Sequence, residues 1–157
     1  MRKNLFDGLD IDHENTNIEN GMAEDEAEEC ARYDELLEQL PRDIQLLGLG
    51  SNGHIAFNEP GTPFGSNTHV VELAESTVKD NARLFDDISE VPRKAFTMGI
   101  RQIMQAKKIL ILASGANKAD AVCKMAKGEV TEAVPASVLQ LHPDCILIAD
   151  QEAAAKL

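Results

Sequence analysis

Ile44-Gln45-Leu46-Leu47 runs straight into Gly48-Leu49-Gly50-Ser51-Asn52-Gly53-His54, and this junction constrains the fold more than any other stretch of the chain. A short apolar run bounded by glycines reads as a buried strand. Three glycines within six residues let the backbone turn tightly and bring its amides against a ligand. His54 follows, the side chain whose ordinary pKa allows proton transfer in both directions near neutrality, and then Glu59 and Pro60. Gly48-x-Gly50-x-x-Gly53 also matches a dinucleotide fingerprint, but that site needs a helix directly after the third glycine. Asn58, Pro60, Gly61, Pro63, Gly65, Ser66 and Asn67 come instead, which is loop chemistry. The expectation is a strand ending in a catalytic loop, where open α/β sheets place their ligands.

Upstream, residues 1–20 carry little periodic signal. Over residues 22–40, Met22, Cys30, Tyr33, Leu36, Leu37 and Leu40 share a stripe at three- and four-residue steps, predicting an amphipathic helix stopped by Pro41. Glu24, Asp25, Glu26, Glu28, Glu29, Asp34, Glu35 and Glu38 fall on its solvated face. Downstream, residues 69–73 alternate like an edge strand. Ser76 is the expected N-cap of a helix running to about Phe85, with Val78, Ala82 and Phe85 inward. Lys79 and Arg83 share another face, and by spacing alone Arg83 reads as a surface arginine. Residues 94–99 read as a strand end and 100–106 as a short helix. Residues 108–112 are a strong β run ending at Ser114-Gly115-Ala116-Asn117. A helix begins near Lys118, with Asn117 as N-cap, Ala119, Val122, Cys123 and Ala126 on one face and Gly128 closing it. A strand, a small-residue turn, a helix start and a lysine together make an anion site. Residues 137–141 suggest one helical turn, 145–148 a last strand and 151–157 a short terminal helix. Strands alternating with helices predict an α/β fold with a largely parallel sheet. With no repeat and no linker, residues 1–157 are expected to be one domain.

Composition narrows the partners. Hydrophobic residues make up 43% of the chain and aromatics 4%, with no Trp, so the core must be aliphatic. A formal net charge of −12 argues against nucleic acid and anionic membranes. A phosphorylated ligand would need the few cations concentrated locally. Cys30, Cys123 and Cys145 are odd in number and lack CxxC spacing, as expected of reduced thiols in the cytoplasm. No apolar run approaches the ~18 residues of a membrane span, and the start lacks a signal-peptide core. His54, Glu59 and His69 lack the further ligands a metal hydrolase would need, so no metal is expected.

Several motifs, in order, resemble those of the glucosamine-6-phosphate deaminase family. They are GLGSNGHIAFNEPG from Gly48, the Asn81-Ala82-Arg83-Leu84-Phe85 run, VPRKAFTMGI from Val91, SGANKA from Ser114 and SVLQLHPDCILIAD from Ser137. The resemblance runs from Leu5 almost to the C-terminus. It implies a Rossmann-like α/β sheet with helices on both faces and a reaction that turns glucosamine 6-phosphate into fructose 6-phosphate and ammonia, without cofactor. It also implies roles. His54 serves sugar ring opening, Glu59 is its acidic partner and Asn52 orients without transferring protons. Gly50 and Gly53 shape the loop backbone, and Arg83 and Lys118 grip the substrate phosphate.

Two departures from the family pattern stand out. A Gly-Ser/Thr-Pro phosphate loop and a Leu-Asp-Glu-Tyr segment, whose aspartate takes the C2 proton in the family, are not among these residues. The chain therefore resembles the family's C-terminal portion, truncated at the N-terminus by about a third, and weak activity is expected of it. Where allosteric members carry basic residues, this chain has His69 and Val71, which resembles the non-allosteric, monomeric branch. The alternatives are a 6-phosphogluconolactonase and a non-catalytic sugar-phosphate sensor on the same fold. The lactonase loop continues Ser-Leu-Phe-Pro where this one has Phe57-Asn58-Glu59-Pro60, and the glutamate favours the deaminase. A sensor could dispense with the His54/Glu59 pair.

Overall fold

The computed structural model describes residues 2–157. Its strands are β1 (Ile44–Gly48), β2 (His69–Glu72), β3 (Lys94–Thr97), β4 (Lys108–Ala113) and β5 (Cys145–Ala149). Its α-helices are α1 (Glu26–Gln39), α2 (Glu75–Asn81), α3 (Ile100–Ile103) and α4 (Ala119–Lys127). The three apolar runs pair as one parallel sheet in the order β1-β4-β5, with Leu47 opposite Ile111 and Ile111 opposite Leu147. Parallel neighbours need long crossovers. α4 lies in the one from β4 to β5, and the whole of residues 49–107 lies between β1 and β4. Within that excursion β2 and β3 form a separate antiparallel pair, His69 opposite Thr97.

Side chains of a strand alternate between faces. Leu47, Ile109, Ile111 and Ala113 point into a core completed by Ile100, Ile103, Val122, Met125, Val138 and Leu139. It is aliphatic, as the composition demands. The opposite face is bare. Ile44, Leu46, Leu112, Ile146 and Ile148 are between 42% and 60% exposed, and the register lines them up in rows, Leu46–Leu110–Ile146 and Leu112–Ile148. The expected α/β architecture with a parallel sheet is present. The helical cover expected on both faces lies, among the described residues, on one.

Local differences have local causes. α1 starts at Glu26 rather than near Met22, because the Asp25 carboxylate accepts from the Ala27 and Glu28 amides and caps the helix there. Met22 is consequently 88% exposed. Glu29, placed on the solvated face from sequence, is 6% exposed. It accepts from the Asn20 amide at 2.6 Å and from Arg32 at 2.7 Å, tying the preceding strap to the helix. α2 starts after Ala74, so Ser76 lies inside the helix instead of capping it. The helix tightens after Asn81 into a 3-10 turn, Ala82–Leu84, and leaves Phe85 exposed.

A 3-10 turn, Ala116–Lys118, precedes α4, so Asn117 is not its cap. The buried stripe is Ala119, Ala121, Val122 and Met125, and Ala126 faces solvent. Gly128 closes α4 in an extended conformation, not a left-handed one. What demands glycine there is the Lys124 carbonyl, 2.5 Å from where a Cβ would sit. Residues 151–157 form turns rather than a helix, their bonds alternating between Ala154 to Asp150 and Ala155 to Glu152.

Candidate active site

The loop that leaves β1 closes on itself. The Gly50 amide donates to the His54 carbonyl at 2.9 Å, and the Gly53 amide to the Gly50 carbonyl at 3.0 Å. Gly53 sits at φ 90°, where a side chain would be strained. Gly50 is required for a different reason. A Cβ on it would lie 2.5 Å from Nε2 of His54, so the imidazole packs directly over bare backbone. No helix follows Gly53, in keeping with the loop expected from its sequence. Instead the chain makes bridges between Leu49 and Ile55 and between Ile55 and Asn58. Ile55 anchors it in the core. The Asn58 side-chain amide donates to the Ile55 and Met98 carbonyls, and the Phe57 amide donates to Thr97 Oγ1. The loop is thus fastened to the end of β3.

This fastening delivers Glu59 beneath His54. Oε2 of Glu59 stands 3.5 Å from His54 Nδ1 and accepts from Asn52 Nδ2 at 2.7 Å. Oε1 accepts from the Ala74 amide at 3.2 Å and from Thr77 Oγ1 at 2.5 Å. Asn52 works in both directions, because its Oδ1 accepts from the His54 amide at 3.1 Å. Burial chiefly holds the His54 pKa below its ordinary value. The Lys118 charge pushes the same way, while Glu59 and Asp80 oppose it. Near neutrality His54 therefore favours its neutral form. A proton on Nδ1 would face Glu59 Oε2, and that tautomer leaves the Nε2 lone pair to accept a proton.

His54, Phe57, Asp80, Arg83 and Lys118 line one cleft of about 340 Å³ above the Gly48–Gly50 backbone. The two cations singled out from sequence therefore open onto the same space as the histidine. Arg83 reaches it from the 3-10 turn after α2, steadied by Nε donating to the Asp80 carbonyl at 3.3 Å. Lys118 reaches it from the turn after β4. An imidazole held by a carboxylate, beside two cations, can move a proton on a ligand whose anionic end is gripped nearby. Among the described residues no group of three or more His, Cys, Asp or Glu side chains could hold a metal ion.

Two residues of this site escaped the sequence reading. Asp80 accepts from Ser51 Oγ at 2.7 Å and joins the loop to α2. Thr77, read only as part of a helix start, is fully buried against Glu59. Neither carries a local signal, since both act on residues distant in sequence. His142 is buried and bonds the Ala106 carbonyl and the Asp144 amide, a structural arrangement. His13 pairs with Asp7 near the chain start, and the His69 ring meets the Asn67 carbonyl.

Residues 1–147 match the profile of the family described as glucosamine-6-phosphate isomerases/6-phosphogluconolactonase. All 157 residues align at 58% identity with 65% of the glucosamine-6-phosphate deaminase of Lactobacillus johnsonii. With the Shouchella clausii deaminase, 99% of the chain aligns at 56% identity, covering 63% of that protein. The chain thus spans just under two thirds of these relatives' length. The structure superposes with a TM-score of 0.98, at 49% identity, on a monomeric glucosamine-6-phosphate deaminase, covering all of this chain and 66% of that one. A 6-phosphogluconolactonase from Trypanosoma brucei shares the fold, with a TM-score of 0.64 at 24% identity over 88% of this chain and 57% of that one.

Proposed function

The chain belongs to the glucosamine-6-phosphate isomerase/6-phosphogluconolactonase family, and from that premise we propose that its 157 residues are part of one sugar-phosphate isomerase domain acting in glucosamine-6-phosphate deamination. The observation that carries this reading is the His54–Glu59 pair sharing one cleft with Arg83 and Lys118. The glutamate in Phe57-Asn58-Glu59-Pro60 and the identity to deaminases rather than lactonases favour deamination over lactone hydrolysis. A monomeric state of the complete domain, as in the deaminase this chain superposes on, and a cytoplasmic location belong to the same proposal. Among the described residues no helix is long and apolar enough to cross a membrane.

In this reading Arg83 and Lys118 hold the phosphate and so place the pyranose over His54. Neutral His54 takes the proton of the anomeric hydroxyl on Nε2. As the bond between C1 and the ring oxygen breaks, it returns that proton to the ring oxygen, leaving an open-chain aldehyde. Glu59 stabilises the imidazolium formed in between, and Asn52 holds Glu59 and the His54 backbone in place without exchanging protons. The subsequent proton transfer from C2 requires a further base, the aspartate of a Leu-Asp-Glu-Tyr segment in the family pattern, which these residues do not contain.

The reading therefore separates ring opening from ammonia release. Exchange between the α and β anomers of glucosamine 6-phosphate, followed by magnetisation-transfer NMR, should accelerate when the 157-residue chain is added. His54→Gln should abolish the acceleration, and ammonia should not be released. Exchange no faster than in buffer would overturn the assignment of His54. Full ammonia release would overturn the placement of the C2 base outside these residues.

A further inference from the structure

Thr77 takes no part in the proton path above, yet it is 1% exposed and touches both members of the pair. Its Oγ1 donates to Glu59 Oε1 at 2.5 Å and lies 3.4 Å from His54 Nδ1. A helical threonine that serves only its own helix returns its hydroxyl to a carbonyl one turn earlier. Thr77 instead sends it across to a residue 18 positions away in sequence. The two oxygens of a carboxylate are equivalent until donors distinguish them. Here Oε1 is claimed by α2, through Thr77 and the Ala74 amide, which leaves Oε2 for Asn52 and His54.

We propose that Thr77 is a positioning residue for the site. From the first turn of α2, its hydroxyl locks the Glu59 carboxylate so that Oε2 faces His54 Nδ1, which keeps the Nε2 lone pair turned away from Glu59 and ready for a proton. The inference rests on the reading of His54 as the proton carrier, and it adds the element that aims it. It also gives α2 a double part, because the turn that follows the helix carries Arg83. Only the hydroxyl matters to this role, so serine should replace threonine and valine, equal in shape, should not.

The test is the imidazole titration of His54, read by NMR on the isotopically labelled 157-residue chain without substrate. The charged groups facing His54 are Glu59, Asp80 and Lys118, and all are kept in the Thr77 variants. In Thr77→Val the Glu59 charge swings away from the ring, and the His54 midpoint should fall by about half a unit or more. Thr77→Ser should restore it. In a Glu59→Gln background, adding Thr77→Val should produce no further shift. A midpoint that stays or rises in Thr77→Val, a serine variant that behaves like valine, or a shift that persists without the Glu59 charge would each overturn the proposal.

Should Thr77→Val fail to fold, the unmodified chain still decides. The Thr77 hydroxyl proton should exchange with water far more slowly than that of an exposed threonine, and exchange at the exposed rate would overturn the role. Because the titration needs no turnover, it stands apart from the anomer-exchange assay, and failure of one is distinguishable from failure of the other.

Discussion

His54 combines two properties that are hard to hold together, a buried ring and an adjacent carboxylate. Its side chain lies over Gly50 with no room for a Cβ beneath it, and burial outweighs Glu59 in setting its pKa below the ordinary value. This has a consequence for stability. The unfolded chain takes up a proton on this histidine near the ordinary value of about 6.5, whereas the folded chain resists it. The stability from keeping His54 neutral is complete above that value and drains away as pH falls towards the lower, folded pKa. Between about pH 7 and about pH 5 the thermal midpoint of the unmodified chain should therefore fall more steeply than that of His54→Gln. Parallel curves from scanning calorimetry would contradict the account. The histidine and the glutamate were both legible at this scale, because glycines, an imidazole and an acid lie within one short stretch. Thr77 was not, because its partner is reached only when α2 folds back over the loop.

Elements obey their periods more faithfully than their boundaries. β4 is the central strand, paired on both sides, and its alternation is sharp. Ile111 is fully buried while Leu112, the next residue, looks outward. Ile111→Ala should destabilise the chain by about 2–5 kcal/mol, the range for emptying a buried aliphatic site. Leu112→Ala should cost under about 1 kcal/mol, since that side chain already meets water. Urea unfolding of the two variants reads the difference directly, and equal losses would mean that the second face is also packed. Helix ends were less legible than strands. α1 begins where Asp25 caps it rather than where the apolar stripe begins, and α2 begins after an alanine whose amide goes to Glu59. In the second case the residue before the helix is held by Glu59 from the loop after β1, which no pattern within the helix could announce.

At the scale of the whole molecule the open sheet face dominates. Sheets built from parallel strands are normally covered on both faces, and Leu46, Leu112, Ile146 and Ile148, left to solvent around half-buried Leu110, form an apolar patch of the kind that binds other apolar surfaces. Among the described residues β1 and β5 also end the sheet with unpaired edges, which invite association. The chain should bind a hydrophobic dye strongly and self-associate with rising concentration. A double variant, Leu46→Lys with Ile148→Lys, should lower both signals without moving the urea midpoint downward. Unchanged dye fluorescence would show that the face is not the binding surface. The net charge of −12 makes the convergence of Arg83 and Lys118 on one cleft more telling, since cations are scarce in this chain.

Taken alone, the order of residues determined the alternation of strand and helix, the aliphatic character of the core, the glycine turn after β1 and the pairing of an imidazole with an acid five residues on. These are short-range matters, governed by side-chain period, backbone permissiveness and turn chemistry. Tertiary structure alone decided that Thr77 reaches Glu59, that Arg83 and Lys118 share a cleft with His54, that Glu29 is buried and that one face of the sheet is bare. The shared cleft and the bare face depend on how β1, β4 and β5 pair across long crossovers, the Thr77 contact on how α2 returns over the loop, and the burial of Glu29 on the segment before α1; periodicity does not encode which distant surfaces are brought together.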